Sequence, residues 1–166
     1  MEYCASVRSR SPHVNKVDTA INSALRIVTG CLKPTPVSYL PVLAGIAPAG
    51  LRREAATLAL ARKAQEHNWH LLHDTTTRAT PPSRLKSRHL YNQAAPELLN
   101  SIPEDLTTKT WLASAWKQER ESAGKTCLHH YIHDPGGGVE GEDLPHRQWT
   151  LLNCLQSSHE EVGPNR

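Results

Sequence analysis

The sequence predicts an all-α protein: an irregular bundle of about five to six helices with proline-rich connections and a disordered C-terminal tail. Apolar residues recur at three- and four-residue spacing in the longest segments, as one face of an amphipathic helix requires. Twelve prolines and nine glycines divide the chain into short pieces. Hydrophobic residues make up 38% of the chain and phenylalanine is absent, so we expect a thin core built from leucine and alanine.

The first long helix is predicted to begin at Val14. Its apolar face comprises Val14, Val17, Ile21, Ala24, Leu25, Val28 and Cys31. Gly30 or the proline turn at residues 34–36 is expected to end it, since proline cannot continue a hydrogen-bonded turn. A short second helix is expected after Thr35, where Pro41 limits its length and Gly45 ends it.

A third, alanine-rich helix is predicted from residue 49 to about residue 73. Its apolar stripe comprises Leu51, Ala55, Leu58 and Ala59, with Trp69, Leu71 and Leu72 anchoring its end. A loop at 74–83 and helices at 93–100, 110–123 and 143–155 complete the prediction. The helix at 110–123 carries Trp111, Leu112, Ala115 and Trp116 on one side.

These elements suggest five segments. They are a lead-in at 1–13, a helical region at 14–73, a basic linker at 74–92, a second helical segment at 93–155 and a disordered tail at 156–166.

Charge and cysteine usage narrow the functional class. The net charge of +3 and the pI near 8.8 are compatible with nucleic acid as a partner without requiring it. The four cysteines lie far apart, which is typical of reduced thiols in an intracellular protein of the nucleus or cytoplasm. No apolar run approaches the roughly 20 residues needed to span a bilayer, so no membrane partner is expected.

The stretch ALRIVTGCLKPTPVSYLPVLAGIAPAG carries the most specific pattern in the chain. It resembles the region just after the polymerase core in reverse transcriptases of non-LTR retrotransposons, most closely the jockey-like group. The matching positions are Tyr3, Ala24, Leu25, Arg26, Gly30, Thr35, Pro36, Leu40, Leu43, Gly45, Ile46 and Pro48. The resemblance extends from about Tyr3 to Leu155, and Arg8 departs from it, because the family usually has tryptophan there.

The resemblance implies a truncated fragment of an RNA-directed DNA polymerase: the thumb-like region after a missing palm. Its implied partners are an RNA template, a DNA primer and the missing polymerase core. The family places paired aspartates in its palm to hold two Mg²⁺ ions, and this chain has no adjacent aspartates. We therefore expect no polymerase activity, no catalytic residue, no bound cofactor and no small-molecule substrate.

Basic residues are the candidates for contacts with template and primer phosphates, since Lys and Arg supply salt-sensitive affinity. They are Arg26, Lys33, Arg52, Arg53, Arg62, Lys63, Arg84, Lys86 and Arg88, with Tyr91 near the last three as a ring that could stack on a base. An ordinary solvated helix face and an exposed linker remain open alternatives. The rival functions are a non-enzymatic helical scaffold or interaction module, and a relic without function.

Ten histidines raise the question of a metal site. His67, His70 and His73 recur every three residues, and His129 and His133 stand four apart near Cys127. Structural zinc sites use four ligands with tight Cys/His pairs, and no Cys-x-x-Cys pair occurs. We expect these histidines to be surface residues and predict no metal site.

Overall fold

The computed structural model describes residues 5–8, 11–78, 90–122, 141 and 143–158. Within them it contains helices and turns but no strand, so the predicted all-α class is confirmed. The helices are α1 (Ala5–Arg8), α2 (Val14–Thr29), α3 (Tyr39–Leu43), α4 (Ala49–Glu66), α5 (His73–Thr77), α6 (Leu90–Ser101), α7 (Thr108–Ser122) and α8 (His146–Ser158). None of these helices is long and apolar enough to cross a membrane.

The chain forms two compact units from interleaved segments. The first unit joins Met1–Asn15 to Ala49–Leu112, and the second joins Lys16–Pro48 to Ala113–Arg166. Each unit therefore depends on segments that are distant in sequence.

Helix α4 is the centre of the first unit, where it contacts α1, α5 and α6. Its buried positions include Ala55, Leu58, Ala61 and Ala64. Alanine at this face lets neighbouring helices approach closely. One cluster of the core joins Ala61 to Tyr91 and Ala95 of α6, with Leu60, Leu72 and Leu99 packed around it.

The core of the second unit lies around α3. The buried residues are Cys31, Tyr39, Leu40, Val42 and Leu43, and Leu25 of α2 packs on them. Pro41 is tolerated because it stands in the first turn, where its missing N–H has no helical acceptor. Gly45 adopts a φ of +61°, its amide donates to Val42 O (3.1 Å), and the Ile46 amide donates to Pro41 O (2.9 Å). This pair of bonds closes the helix as a Schellman motif.

Helix α8 lies against the C-terminal end of α2. Asn153 Nδ2 donates to Thr29 O at 3.0 Å, and Cys154 Sγ donates to Gly30 O at 3.5 Å. These carbonyls belong to the end of α2, where no intrahelical amide follows. Gly30 has a φ of +71°, and a Cβ at this position would lie 2.7 Å from Thr150 Cβ. Glycine is therefore required both by the turn and by the close approach of α8.

The long third helix is shorter than predicted. It ends at Glu66 rather than near residue 73, and the expected loop at 74–83 begins instead with the helix His73–Thr77. The reason is a tertiary contact: His73 Nδ1 bonds Ala64 O at 2.8 Å, so a side chain rather than a following amide satisfies this carbonyl. The prediction that Trp69 and Leu71 anchor the helix was wrong, because their exposed fractions are 73% and 97%.

Other helix boundaries differ by a few residues. Helix α6 begins at Leu90, inside the stretch expected to be a basic linker, and α8 runs to Ser158, beyond the predicted helix end. Thr107 explains the early start of α7, since its Oγ1 accepts a bond from Thr110 N at 3.2 Å and so caps the helix.

The predicted apolar stripes agree only partly with the burial that the structure shows. Ala24 and Val28 of α2 and Ala59 of α4 are exposed, although each was placed on a buried face. Trp111, Leu112, Ala115 and Trp116 of α7 are buried or half-buried, as their common side predicts.

Candidate nucleic-acid interface

Arg26 does not face solvent as a phosphate-binding residue would. Its Nη2 donates to Thr35 O at 3.1 Å, within the second unit, and the side chain is half-buried. This bond ties the last turn of α2 to the Thr35–Pro36 turn, which are two of the motifs that carry the resemblance. The arginine therefore has a structural role in this region.

Arg62 is also used within the protein. Its two terminal nitrogens donate to Leu106 O and to Pro103 O, the latter at 2.7 Å. Both carbonyls belong to the turn between α6 and α7, so Arg62 braces that turn against α4. A planar guanidinium with several donors suits this forked contact, whereas a lysine ammonium does not.

The outer face of α4 presents two of the remaining candidate residues, Arg52 and Lys63. Arg52, Ala56, Ala59 and Lys63 follow at spacings of four, three and four, which places them on one side of the helix. Lys63 is exposed and Arg52 is half-buried, with contacts of its own inside the protein. Arg53 is half-buried about 100° around the helix from Arg52. Arg52 and Lys63 lie about 16 Å apart along the helix axis, with only methyl side chains between them.

The other candidates are dispersed. Lys33 is exposed in the turn after α2, in the second unit. Arg84, Lys86 and Arg88 lie outside the described residues. Arg52, Arg53 and Lys63 thus lie on the same helix without forming one cluster, and Arg26 and Arg62 make internal bonds.

The three spaced histidines do not converge. His73 bonds Ala64 O, His70 Nδ1 accepts the Leu72 amide at 3.2 Å, and His67 stacks on Trp69. Among the described residues, no group of three or more His, Cys, Asp or Glu side chains is arranged to hold a metal ion. His129, His133 and Cys127 lie outside those residues.

Two buried groups have perturbed titration. Burial raises the pKa of the Cys31 thiol, opposed in part by a hydrogen bond from Thr29 and the nearby Arg26 charge. Burial also raises the pKa of Tyr91 to about 12, and its hydroxyl has no hydrogen-bond partner within the described residues. Tyr91 was considered as a stacking ring for a base, but at 7% exposure it is part of the core.

Sequence reasoning missed the exposed aromatic surface around Trp69. Its position at the end of an apolar-periodic stretch is typical of a packing anchor. The signal that could have identified it is its polar surroundings, since His67, Asn68 and His70 surround the tryptophan in a run that ends the helix.

The comparisons with known proteins do not assign the chain to a family. No family model, no curated protein and no solved structure matches it.

Proposed function

We propose that this chain is a non-catalytic helical module of the kind that follows the palm in non-LTR reverse transcriptases, and that it contacts the backbone of an RNA–DNA template–primer duplex in the nucleus or cytoplasm. The observation that carries the proposal is the basic outer face of α4. Its two ends carry Arg52 and Lys63, and Ala56 and Ala59 between them let a phosphate backbone approach the helix closely. The span of about 16 Å is the rise of about five nucleotides in a duplex strand.

The internal contacts of the second unit support the proposed relationship to non-LTR reverse transcriptases. The bond from Arg26 to Thr35 O joins two of the matching motifs, and Gly45 and Ile46 provide the amides that close α3. These residues therefore act together in local structure, as residues of one inherited motif would. The polymerase chemistry itself is not proposed for this chain, because its sequence has no paired aspartates to hold two metal ions.

The test is a binding titration of the purified full chain with a labelled RNA–DNA duplex across a salt series, with circular dichroism recorded on the same sample. Each phosphate contact contributes about −0.9 to the slope of log K against log salt in B-DNA. We expect the double variant R52Q/K63Q to flatten the slope by about 2 relative to the unmodified chain. A folded protein that does not bind the duplex refutes the proposal.

A matched control separates the α4 face from general charge attraction. The double variant K117Q/R147Q removes the same charge from exposed positions on α7 and α8. We expect it to leave the slope nearly unchanged. Equal flattening by the two double variants would mean that net charge, and not α4, attracts the duplex. An unfolded chain would favour the alternative that the protein is a relic without function.

The second candidate is an interaction module that pairs with another copy of itself. One observation favours it: Leu151 and Leu155, one turn apart on α8, are 60% and 68% exposed. Matching stripes on two copies could bury each other, since apolar burial drives such pairing. Light scattering tests this candidate: a dimer that L151E/L155E converts to a monomer supports it, and a monomeric unmodified chain refutes it.

A further inference from the structure

The turn between α4 and α5 exposes the aromatic ring of Trp69 to solvent. The His67 amide makes the last bond of α4 to Lys63 O (3.3 Å), and two tight turns follow, with bonds from His70 N to His67 O (3.0 Å) and from His73 N to His70 O (2.9 Å). Trp69 lies within the first of these turns with 73% of its surface exposed. The described part of the chain contains four tryptophans, and the other three are buried or half-buried.

The indole is oriented although it is exposed. The His67 ring stacks on it at a centroid distance of 5.1 Å and an interplanar angle of 16°, and His70 tilts against it at 6.3 Å and 47°. His70 is itself held, because its Nδ1 accepts the Leu72 amide. A ring fixed in this way loses little conformational freedom when a second flat group stacks on its open face.

The surroundings of Trp69 are polar and include one exposed lysine and one exposed glutamate. Asn68 and His70 are its neighbours in sequence, and exposed Lys63 lies one turn of α4 before His67. Glu66 is the nearby acidic residue in sequence, and the Asp74 carboxylate is paired with Arg78 at 3.5 Å. A stacked aromatic pair with a lysine one helical turn away suits a single-stranded nucleic acid, since every base has a flat face and a phosphate close by. Leu71 is the one large apolar neighbour that is also exposed, which is too little for a membrane anchor.

We propose that Trp69 is a stacking site for an unpaired nucleobase, with His67 supporting the indole from the opposite face and Lys63 contacting the adjoining phosphate. This inference rests on the proposed contact of α4 with nucleic acid, because Lys63 is common to both. It adds a preference that backbone contacts cannot give: the protein would distinguish a strand with bases from a bare sugar–phosphate strand. The site thus suits the unpaired template beyond the duplex.

The experiment compares two single-stranded probes of about ten nucleotides, a length within the usual site size. One is oligo-dT, and the other is an abasic strand of the same length and charge. Binding is followed through tryptophan fluorescence quenching and, independently, through anisotropy of a labelled probe. We expect oligo-dT to bind about 5- to 150-fold more tightly than the abasic strand, the range that one stacked base contributes.

Three single variants identify the site. W69A should remove the preference for oligo-dT and most of the quenching, whereas W69F should retain a reduced preference because its ring still stacks. L71A is the matched control, since it removes a more exposed apolar side chain without a ring, and it should leave the preference unchanged. Circular dichroism should show the same helix content for all three, as each residue is exposed.

The outcomes separate this inference from the proposed function. If both probes bind equally, the stacking site is refuted while the phosphate contacts stand. If neither single-stranded probe binds, the stacking site is refuted, and the duplex titration alone decides the proposed function. A preference for oligo-dT that survives W69A places the base contact elsewhere, and an equal loss in L71A and W69A shows a general apolar surface suited to a protein or lipid partner.

Discussion

Arg62 provides the sharpest test of whether a basic residue of α4 serves the fold or a ligand. Its guanidinium reaches two backbone carbonyls in the turn between α6 and α7, at Pro103 and Leu106. The variant R62M keeps most of the aliphatic stem and removes all donors. R62K keeps the charge but loses the planar fork that serves both carbonyls.

The expected loss follows from these two bonds. A hydrogen bond from a charged donor contributes about 1.5–3 kcal/mol to stability, and the lower value applies where water can replace the donor. Pro103 is exposed and Leu106 is half-buried, so water reaches at least one of the carbonyls. At the lower value for both bonds, we expect R62M to lower the free energy of unfolding by about 3 kcal/mol, which corresponds to about 6–12 °C in Tm for a chain of this size. R62K should lose about half as much.

The assay is thermal unfolding followed by circular dichroism, together with the duplex salt series on each variant. The neighbouring K63Q is the matched control, since Lys63 is exposed and should give the opposite result: unchanged Tm and a slope flattened by about 0.9. If R62K matches the unmodified chain in Tm while R62M flattens the salt slope, Arg62 binds phosphate and the structural argument fails.

Two further predictions concern glycine and tyrosine positions. G30A should destabilise by about 1 kcal/mol from the left-handed φ plus a similar or larger steric cost against Thr150. G45A is the control, because it has the same kind of φ and no atom within 4 Å, so urea unfolding should show a smaller loss; equal losses would refute the steric argument. For Tyr91, burial raises the pKa to about 12 in the folded chain, against about 10 when unfolded, so its contribution is present below pH 10 and is lost as pH rises to 12. That loss should reach about 2 kcal/mol and disappear in Y91F, and identical pH profiles of the two proteins would contradict it.

The long helices could be predicted from sequence because their signals are local. Apolar spacing predicted α2, and alanine content predicted α4, through short-range effects alone. The length of α4 was overestimated, since the large apolar residues Trp69, Leu71 and Leu72 follow Glu66 and suggest that the apolar stripe continues. The deciding bond joins His73 to Ala64 O and depends on how the chain turns in three dimensions.

Prediction of the candidate interface from sequence has the same limit, because it depends on contacts between residues that are distant in sequence. Sequence identifies an arginine but cannot say whether its donors meet water, phosphate or a backbone carbonyl. Arg26 and Arg62 meet carbonyls at sequence separations of nine and more than 40 residues, respectively. Lys63 meets solvent, although it is adjacent to Arg62 in the chain. Trp69 was misplaced because hydrophobicity alone suggests burial.

The bonds from α8 to the end of α2 can form only late in synthesis of the chain on the ribosome, because α8 is made long after α2. Asn153 and Cys154 meet Thr29 and Gly30 across 124 residues, and closing a loop of that length costs about 4 kcal/mol of chain entropy. A ribosome adds about 5–20 residues per second, so the end of α2 waits about 6–25 s for its partner helix. During that interval its last carbonyls remain open to chaperones and proteases, next to Ile27 and Val28, which stay exposed in the folded chain as well.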